Sequence, residues 1–204
     1  MLLKTKKLMK AFGGLKAINK VDFELPKNEI RGIIGPNGSG KSTFFNLVSG
    51  VYDPDPGSYI EFDGHDITEE PPHKVGELGL ADYAEMNASE LSGGQRRLLV
   101  LARAIAGKPK LLMLDEPAAG LSPVNVDNLM KILMRLKEKY GLTLIIIEHI
   151  LKVVMDTCSK VTVLDHGEKI AEGTPTQIKD DNAVIEAYLG KKMDDEEMRK
   201  ALAV

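Results

Sequence analysis

The chain has 204 residues, 43% of them apolar and 28% charged, and a formal charge of −3 at pH 7; this is an ordinary globular composition, long enough to bury a core without staples. The charge balance argues against broad attraction to nucleic acid or anionic lipid, which requires clustered cations. The longest apolar runs, "LLVLA" and "LIII", fall far short of the roughly 18–20 residues of a spanning helix.

One cysteine, Cys158, cannot form an internal disulfide, and no leader pattern opens the chain; both suit the cytosol. Cys158 reads as a packing residue.

In chain order, residues 15–25, "LKAINKVDFEL", alternate apolar and polar positions as a half-buried strand does. "EIRGIIG" (29–35) is a strand running into a glycine loop, and "KSTFFNLVSG" spaces Phe44, Leu47 and Val48 as a helix that Gly50 stops. "DPDPG" (53–57) is a turn, with a strand in "SYIEFDG" leaving it. "QRRLLVLARAIAGKP" places Leu98, Leu101, Ala102 and Ile105 on one face of a helix ended by Gly107 and Pro109.

"KLLMLDE" and "TLIIIEH" are short apolar runs with acidic or histidine ends, the pattern of buried parallel strands that present functional groups at their carboxyl ends. Between them, "NVDNLMKILMRLKEKYG" aligns Leu129, Ile132, Leu133 and Leu136 on one stripe of a crossover helix that ends at Gly141. "KVTVLDHGEKIAEGT" is a hairpin turning at His166–Gly167, and "NAVIEAYLG" is a last helix. The tail "KKMDDEEMRKALAV" carries mixed charge and receives no function.

Residues 35–43, "GPNGSGKST", match the phosphate-loop pattern G-x-x-x-x-G-K-[ST]. Gly35, Gly38 and Gly40 let backbone N–H groups turn toward one anion, and the following helix presents its positive end. Lys41 can reach the β and γ phosphates, and the Ser42 hydroxyl can hold magnesium. At the end of "LLMLD", Asp115 supplies a carboxylate for that magnesium, directly or through water, and the adjoining Glu116 can accept a proton from an attacking water. His149, at a third strand end, can hydrogen-bond a γ phosphate. A second glycine cradle, "LSGGQ" (91–95), opens the helix that follows it.

With these pieces in this order, nearly the whole chain resembles the ATP-binding subunit of ABC transporters. "GPNGSGKST" (Gly35, Pro36, Asn37, Gly38, Ser39, Gly40, Lys41, Ser42, Thr43) corresponds to Walker A, "LSGGQ" to the family signature and "LLMLDEP" to Walker B. "AGLS" (119–122) falls at the D-loop, with Ser122 in place of the usual aspartate or asparagine; His149 is the switch histidine, and Phe12 falls where an aromatic stacks on adenine.

The resemblance implies a P-loop NTPase fold of the α/β class: a central, largely parallel sheet flanked by helices, an N-terminal antiparallel β subdomain and a truncated helical subdomain. The nucleotide-binding domain would span 1–190, with a shortened helical and signature region at 71–95, and 191–204 would be a charged tail. ATP and Mg2+ are the implied cofactors. Two such subunits pair head to tail, as a homodimer or with a sister subunit, so that Ser92, Gly93, Gly94 and Gln95 of one chain cap the nucleotide held by the other. Membrane permease subunits and a substrate-binding protein complete the implied assembly, peripheral on the inner face of the cell membrane, with no nucleic acid.

"FDGHDIT", "PPHK", "DEPAAGLSP", "IEHILKVVMD" and "VIEAYLG" narrow the resemblance to subunits that drive import of branched-chain amino acids; related subunits serve urea uptake or lipopolysaccharide export. One segment of the family pattern is missing. Family-like text stops at "PPHKV" and resumes at "GELGLADYA", and the only glutamines are Gln95 and Gln177, so the Q-loop glutamine has no counterpart. The missing stretch would have held a strand and most of the helical arm that contacts the transporter. The alternatives are a nucleotide-binding module that no longer transports and an ABC ATPase acting on DNA or ribosomes, the latter opposed by the negative charge.

Overall fold

The computed structural model describes residues 1–83, 93–149 and 151–189. Ser92 and the tail lie outside them. Two sheets form the frame. In the first, β1 (Leu3–Phe12) and β2 (Leu15–Leu25) pair antiparallel in a hairpin turning at Gly13–Gly14, and β4 (Tyr59–Phe62) and the two-residue β5 (His65–Asp66) extend it in the order β2-β1-β4-β5.

β1 has no clean alternation in "LKTKKLMKAF" because its register with β2 slips between Thr5 and Leu8, where Lys7 takes φ 46°. A bulge inserts a residue and reverses the in-out pattern, so period-two reasoning passes over this strand.

The second sheet has the order β10-β9-β3-β8-β7-β6 and is parallel except for β10. Its centre is β3 (Ile30–Ile34), β8 (Thr143–Ile147) and β7 (Leu111–Asp115); β3 and β8 are buried at every residue, as "IRGII" and "TLIII" require of strands covered on both faces. Alternate residues serve two cores. Ile33, Met113, Ile145 and Ile147 face the antiparallel sheet and α1 (Lys41–Val48), where Phe44 packs edge-on to Phe23. Ile34, Leu112, Leu114, Leu144 and Ile146 face α3 (Gly93–Ala106), α4 (Pro123–Tyr140), α5 (Leu151–Thr157), α6 (Pro175–Lys179) and α7 (Asn182–Leu189).

The crossover helix α4 begins with Pro123 and ends where Gly141 adopts the left-handed conformation, φ 65°. β9 (Lys160–Asp165) and β10 (Glu168–Gly173) turn at His166 and Gly167, both with positive φ, the twist a two-residue hairpin demands.

The structure adds a strand to the sequence reading at β6 and corrects it on α3. After α2 (Pro72–Glu77), residues Leu80–Tyr83, given no element by the sequence reading, form β6, the edge of the parallel sheet beside β7. Four residues of the shortened segment suffice because an exposed edge of β7 offers ready backbone partners. On α3, Ala102 is exposed, not buried; the packed stripe runs through Leu101, Ala104 and Ile105, the i, i+3, i+4 set.

Candidate active site

β3 feeds the phosphate loop and α1 leaves it. Gly40, at φ 103°, is the residue before α1, and the first returning helix bond runs from Phe44 N–H to Gly40 O at 2.8 Å. The N–H groups of Lys41, Ser42 and Thr43 therefore precede the helical ladder and remain for an anion. Glycine is required here by space as well as by φ. A Cβ at Gly35 would lie 2.0 Å from Leu164 O, and one at Gly40 would lie 2.4 Å from Ala17 O. The loop is thus seated on β9 and β2, and the hairpin turn closes over it, Gly167 N–H donating to Ser39 O at 3.0 Å. Asn37 and Gly38 are exposed at its tip, with Pro36 half-buried below them.

Lys41 is buried, and its ammonium donates to Gly35 O at 2.8 Å and Pro36 O at 2.9 Å. Burial lowers its pKa, while the carboxylates of Glu116 and Asp115 oppose that shift. Asp115 and Glu116 follow from the end of β7, and His149 follows β8 next door. Burial raises the Asp115 carboxyl above its ordinary value and Glu116 adds to this, against Lys41, His149 and the neighbouring Ser42 hydroxyl. Glu116 sits at φ 48°, and its Oε1 lies 2.6 Å from His149 Nε2, with both side chains half open to solvent.

Lys41, Ser42, Asp115, Glu116 and His149 are therefore one cluster at the carboxyl ends of three neighbouring strands. The residues fit a magnesium ion: Asp115 Oδ1 is buried with no hydrogen-bond partner among the described residues, and the Ser42 hydroxyl is beside it. A hard cation prefers such oxygen donors. Ser39 Oγ is likewise buried and unpaired, at the floor of the loop.

The remaining expected residues lie elsewhere. Phe12, at the end of β1 on the antiparallel sheet, is 46% exposed, with Tyr52 edge-on at 5.4 Å and Lys10 Nζ over its ring at 5.6 Å from the centroid. Gly93, Gly94 and Gln95 form the first turn of α3, and α3 packs against β6. In the sheet, β8 and β7 separate β6 from β3, a lateral offset of about 14 Å at the normal strand spacing. The second glycine cradle belongs to the opposite edge of the sheet from the hairpin that closes the first.

Sequence reasoning passed over two further residues. Glu148 is 1% exposed; its Oε1 accepts from Ala118 N–H at 2.6 Å and its Oε2 from His149 N–H at 3.2 Å. The signal was available as a carboxylate ending a wholly apolar strand in "IIIEH". Tyr188 of α7 buries its hydroxyl beside the Gly35 peptide without a well-aligned hydrogen bond, and burial pushes its phenol up to about 12. Nothing local in "EAYLG" signals that contact.

Comparison with known proteins agrees with this geometry. The sequence pattern of the ABC transporter family matches residues 18–81 and 73–119, and that of the branched-chain amino acid ATP-binding cassette transporters matches residues 168–193. The high-affinity branched-chain amino acid transport ATP-binding protein BraF of Pseudomonas aeruginosa is 31% identical over 251 aligned positions, covering 93% of this chain and 98% of BraF. LivG of Escherichia coli, of the same description, is 32% identical over 250 positions, covering 93% and 98%. Both alignments are longer than the 204-residue chain itself, which requires a long gap on its side. The two overlapping family matches set that gap at or beside residues 73–81.

Among solved structures, a nucleotide-free ATP-binding cassette from an ABC transporter superposes with a TM-score of 0.88 at 27% identity, over 93% of this chain and 99% of that one.

Proposed function

The chain belongs to the ABC transporter family, and we propose that it is the ATP-binding and hydrolysing subunit of an importer of branched-chain amino acids, working as a head-to-tail dimer. The observation that carries this reading is the cluster of Lys41, Ser42, Asp115, Glu116 and His149 around a glycine loop whose helix amides precede the helical ladder, with the signature glycines on α3 beside the edge strand β6, away from the central β3. A chain that binds ATP at one cradle leaves the other for a neighbour's nucleotide. The match of residues 168–193 and the names of BraF and LivG support the substrate. Related urea or lipopolysaccharide systems are the alternative.

In this mechanism the Lys41 ammonium exchanges its two loop carbonyls for phosphate oxygens, and the amides at the start of α1 receive the same group. Ser42 and Asp115 would hold a magnesium ion, which would supply charge neutralisation on the phosphates. Glu116 takes the proton of the attacking water, and His149 orients that carboxylate and reaches the γ phosphate. Phe12 stacks on the base. Ser92, Gly93, Gly94 and Gln95 of the partner cap the γ phosphate, so closure depends on its presence. Permease subunits and a substrate-binding protein complete the assembly, with the chain peripheral on the inner membrane face; no helix among the described residues is long and apolar enough to cross a membrane.

A second reading, a nucleotide-binding module uncoupled from transport, is favoured by one observation. The gap falls at or beside residues 73–81, on the stretch where the Q-loop segment is expected, and Gln177 is engaged in the capping box of α6 with Thr174. The chain is thus expected to bind ATP better than it drives uptake.

Titration with ATP, with and without magnesium, and turnover measured against chain concentration test the proposal. Magnesium-dependent binding and a specific activity that rises with concentration are expected. No magnesium-dependent binding would overturn the ATPase reading. Leucine uptake in vesicles carrying the cognate permease subunits separates the coupled from the uncoupled form.

A further inference from the structure

We infer that Glu148 is a positioning residue for hydrolysis: its buried carboxylate clamps the loop after β7 to the loop after β8 and so sets the distance between Glu116 and His149. This rests on the hydrolytic reading above. β7 and β8 are neighbours in parallel register, Asp115 opposite Ile147, and the ladder continues one rung further through Glu116 N–H to Ile147 O at 2.9 Å. Beyond that rung the two chains diverge. Glu116 turns out of the sheet in a left-handed conformation, φ 48°, which a residue with a side chain holds only where its surroundings impose it.

Glu148 supplies that constraint. It turns inward, 1% exposed, and each carboxylate oxygen takes an N–H from a different loop: Oε1 from Ala118 at 2.6 Å, two residues past Glu116, and Oε2 from His149 at 3.2 Å. Ala118 is itself fully buried, so without Glu148 its N–H would lose this acceptor in a dry site. A carboxylate suits this place better than an amide. Both oxygens accept, whereas a glutamine would turn an NH2 toward one of the two N–H donors. The result is a closed ring of contacts: backbone rung, carboxylate clamp, and the 2.6 Å approach of His149 Nε2 to Glu116 Oε1. Occupied by these donors, Glu148 is poorly placed to take a proton from water. Its action passes through Glu116 and His149.

The test compares the full chain with its Glu148→Gln and Glu148→Ala variants in four measurements: magnesium-ATP affinity, turnover, the unfolding midpoint, and the ¹⁵N NMR signals of the His149 ring without nucleotide. Affinity should stay within about threefold, because the phosphate loop is untouched, while kcat falls about a hundredfold in Glu148→Ala, the usual loss for a displacement of order 1 Å. The His149 ring signal should move in both variants, less in Glu148→Gln. A ring signal and kcat equal to those of the unaltered chain would overturn the inference, as would a lowered unfolding midpoint with the ring signal unmoved. If the unaltered chain shows no turnover, the hydrolytic reading fails, and the ring signal alone still decides the clamp. Should Glu148→Ala not fold, the near-isosteric Glu148→Gln carries the comparison.

Discussion

His149 Nε2 stands 2.6 Å from Glu116 Oε1 across the ends of two adjacent parallel strands. The contact engages one oxygen of the Glu116 carboxylate, with both side chains 42% exposed. In the proposed mechanism Glu116 is the proton acceptor and His149 its guide. Glu116→Gln should slow ATP hydrolysis by roughly 10²–10⁴-fold and leave ATP affinity largely unchanged. Single-turnover kinetics beside equilibrium binding check it; a loss under tenfold would remove Glu116 from the role.

Lys41 points its ammonium at its own loop, bonded to Gly35 O and Pro36 O. Replacing it removes both a loop brace and the cation that the phosphates would meet. Lys41→Ala should therefore weaken binding itself, by about tenfold or more if one charged hydrogen bond of 1.5–3 kcal/mol is lost. Titration calorimetry decides this, and unchanged affinity would contradict the assignment.

Arg31 is the largest fully buried polar side chain, and it joins four strands. Its guanidinium donates to Glu29 at 2.7 Å, Thr162 Oγ1 at 3.2 Å and Glu24 O at 3.1 Å, lies 3.4 Å from Glu172, and has its Cζ 5.2 Å from the Phe23 ring centroid. This network ties the antiparallel sheet to the parallel one. Arg31→Ala should cost about 3–5 kcal/mol, the usual loss when one partner of a buried charge network is removed. Urea denaturation measures it, and a loss below about 1 kcal/mol would show the network to be dispensable.

Cys158 lies behind β3, where a Cβ on Gly32 would come within 3.1 Å of its sulfur, and burial pushes its thiol up to about 12. The folded state therefore holds the proton more tightly than the unfolded one. Stability from this group is fully present below its ordinary pKa of 9.0 and is lost as pH rises from there toward about 12. Denaturation midpoints should fall above pH 9, and Cys158→Ala should flatten part of that fall. At pH 8 the native thiol should resist alkylation until the chain is unfolded; rapid native labelling would contradict its burial.

Much of this molecule was legible from local pattern. The all-apolar runs of β3, β7 and β8, the amphipathic stripe of α4 and the paired positive-φ residues of the β9–β10 turn each express a rule that acts over a few neighbouring residues, as does the glycine spacing of the loop before α1. Those rules marked the elements of the parallel sheet and singled out Lys41, Ser42, Asp115 and Glu116 as candidates, and the family resemblance supplied the α/β fold class. Tertiary structure alone decided the rest. The bulge at Lys7 hid β1, the open edge of β7 made a strand of Leu80–Tyr83, and the order β3-β8-β7-β6 set the two glycine cradles apart, one after the central β3 and the other beside the edge strand β6. Glu148 and Tyr188 reach the site because chain segments distant in sequence pack side by side. A carboxylate's burial depends on which loop supplies its N–H donors, and that depends on strand neighbours, which no local period in the sequence encodes.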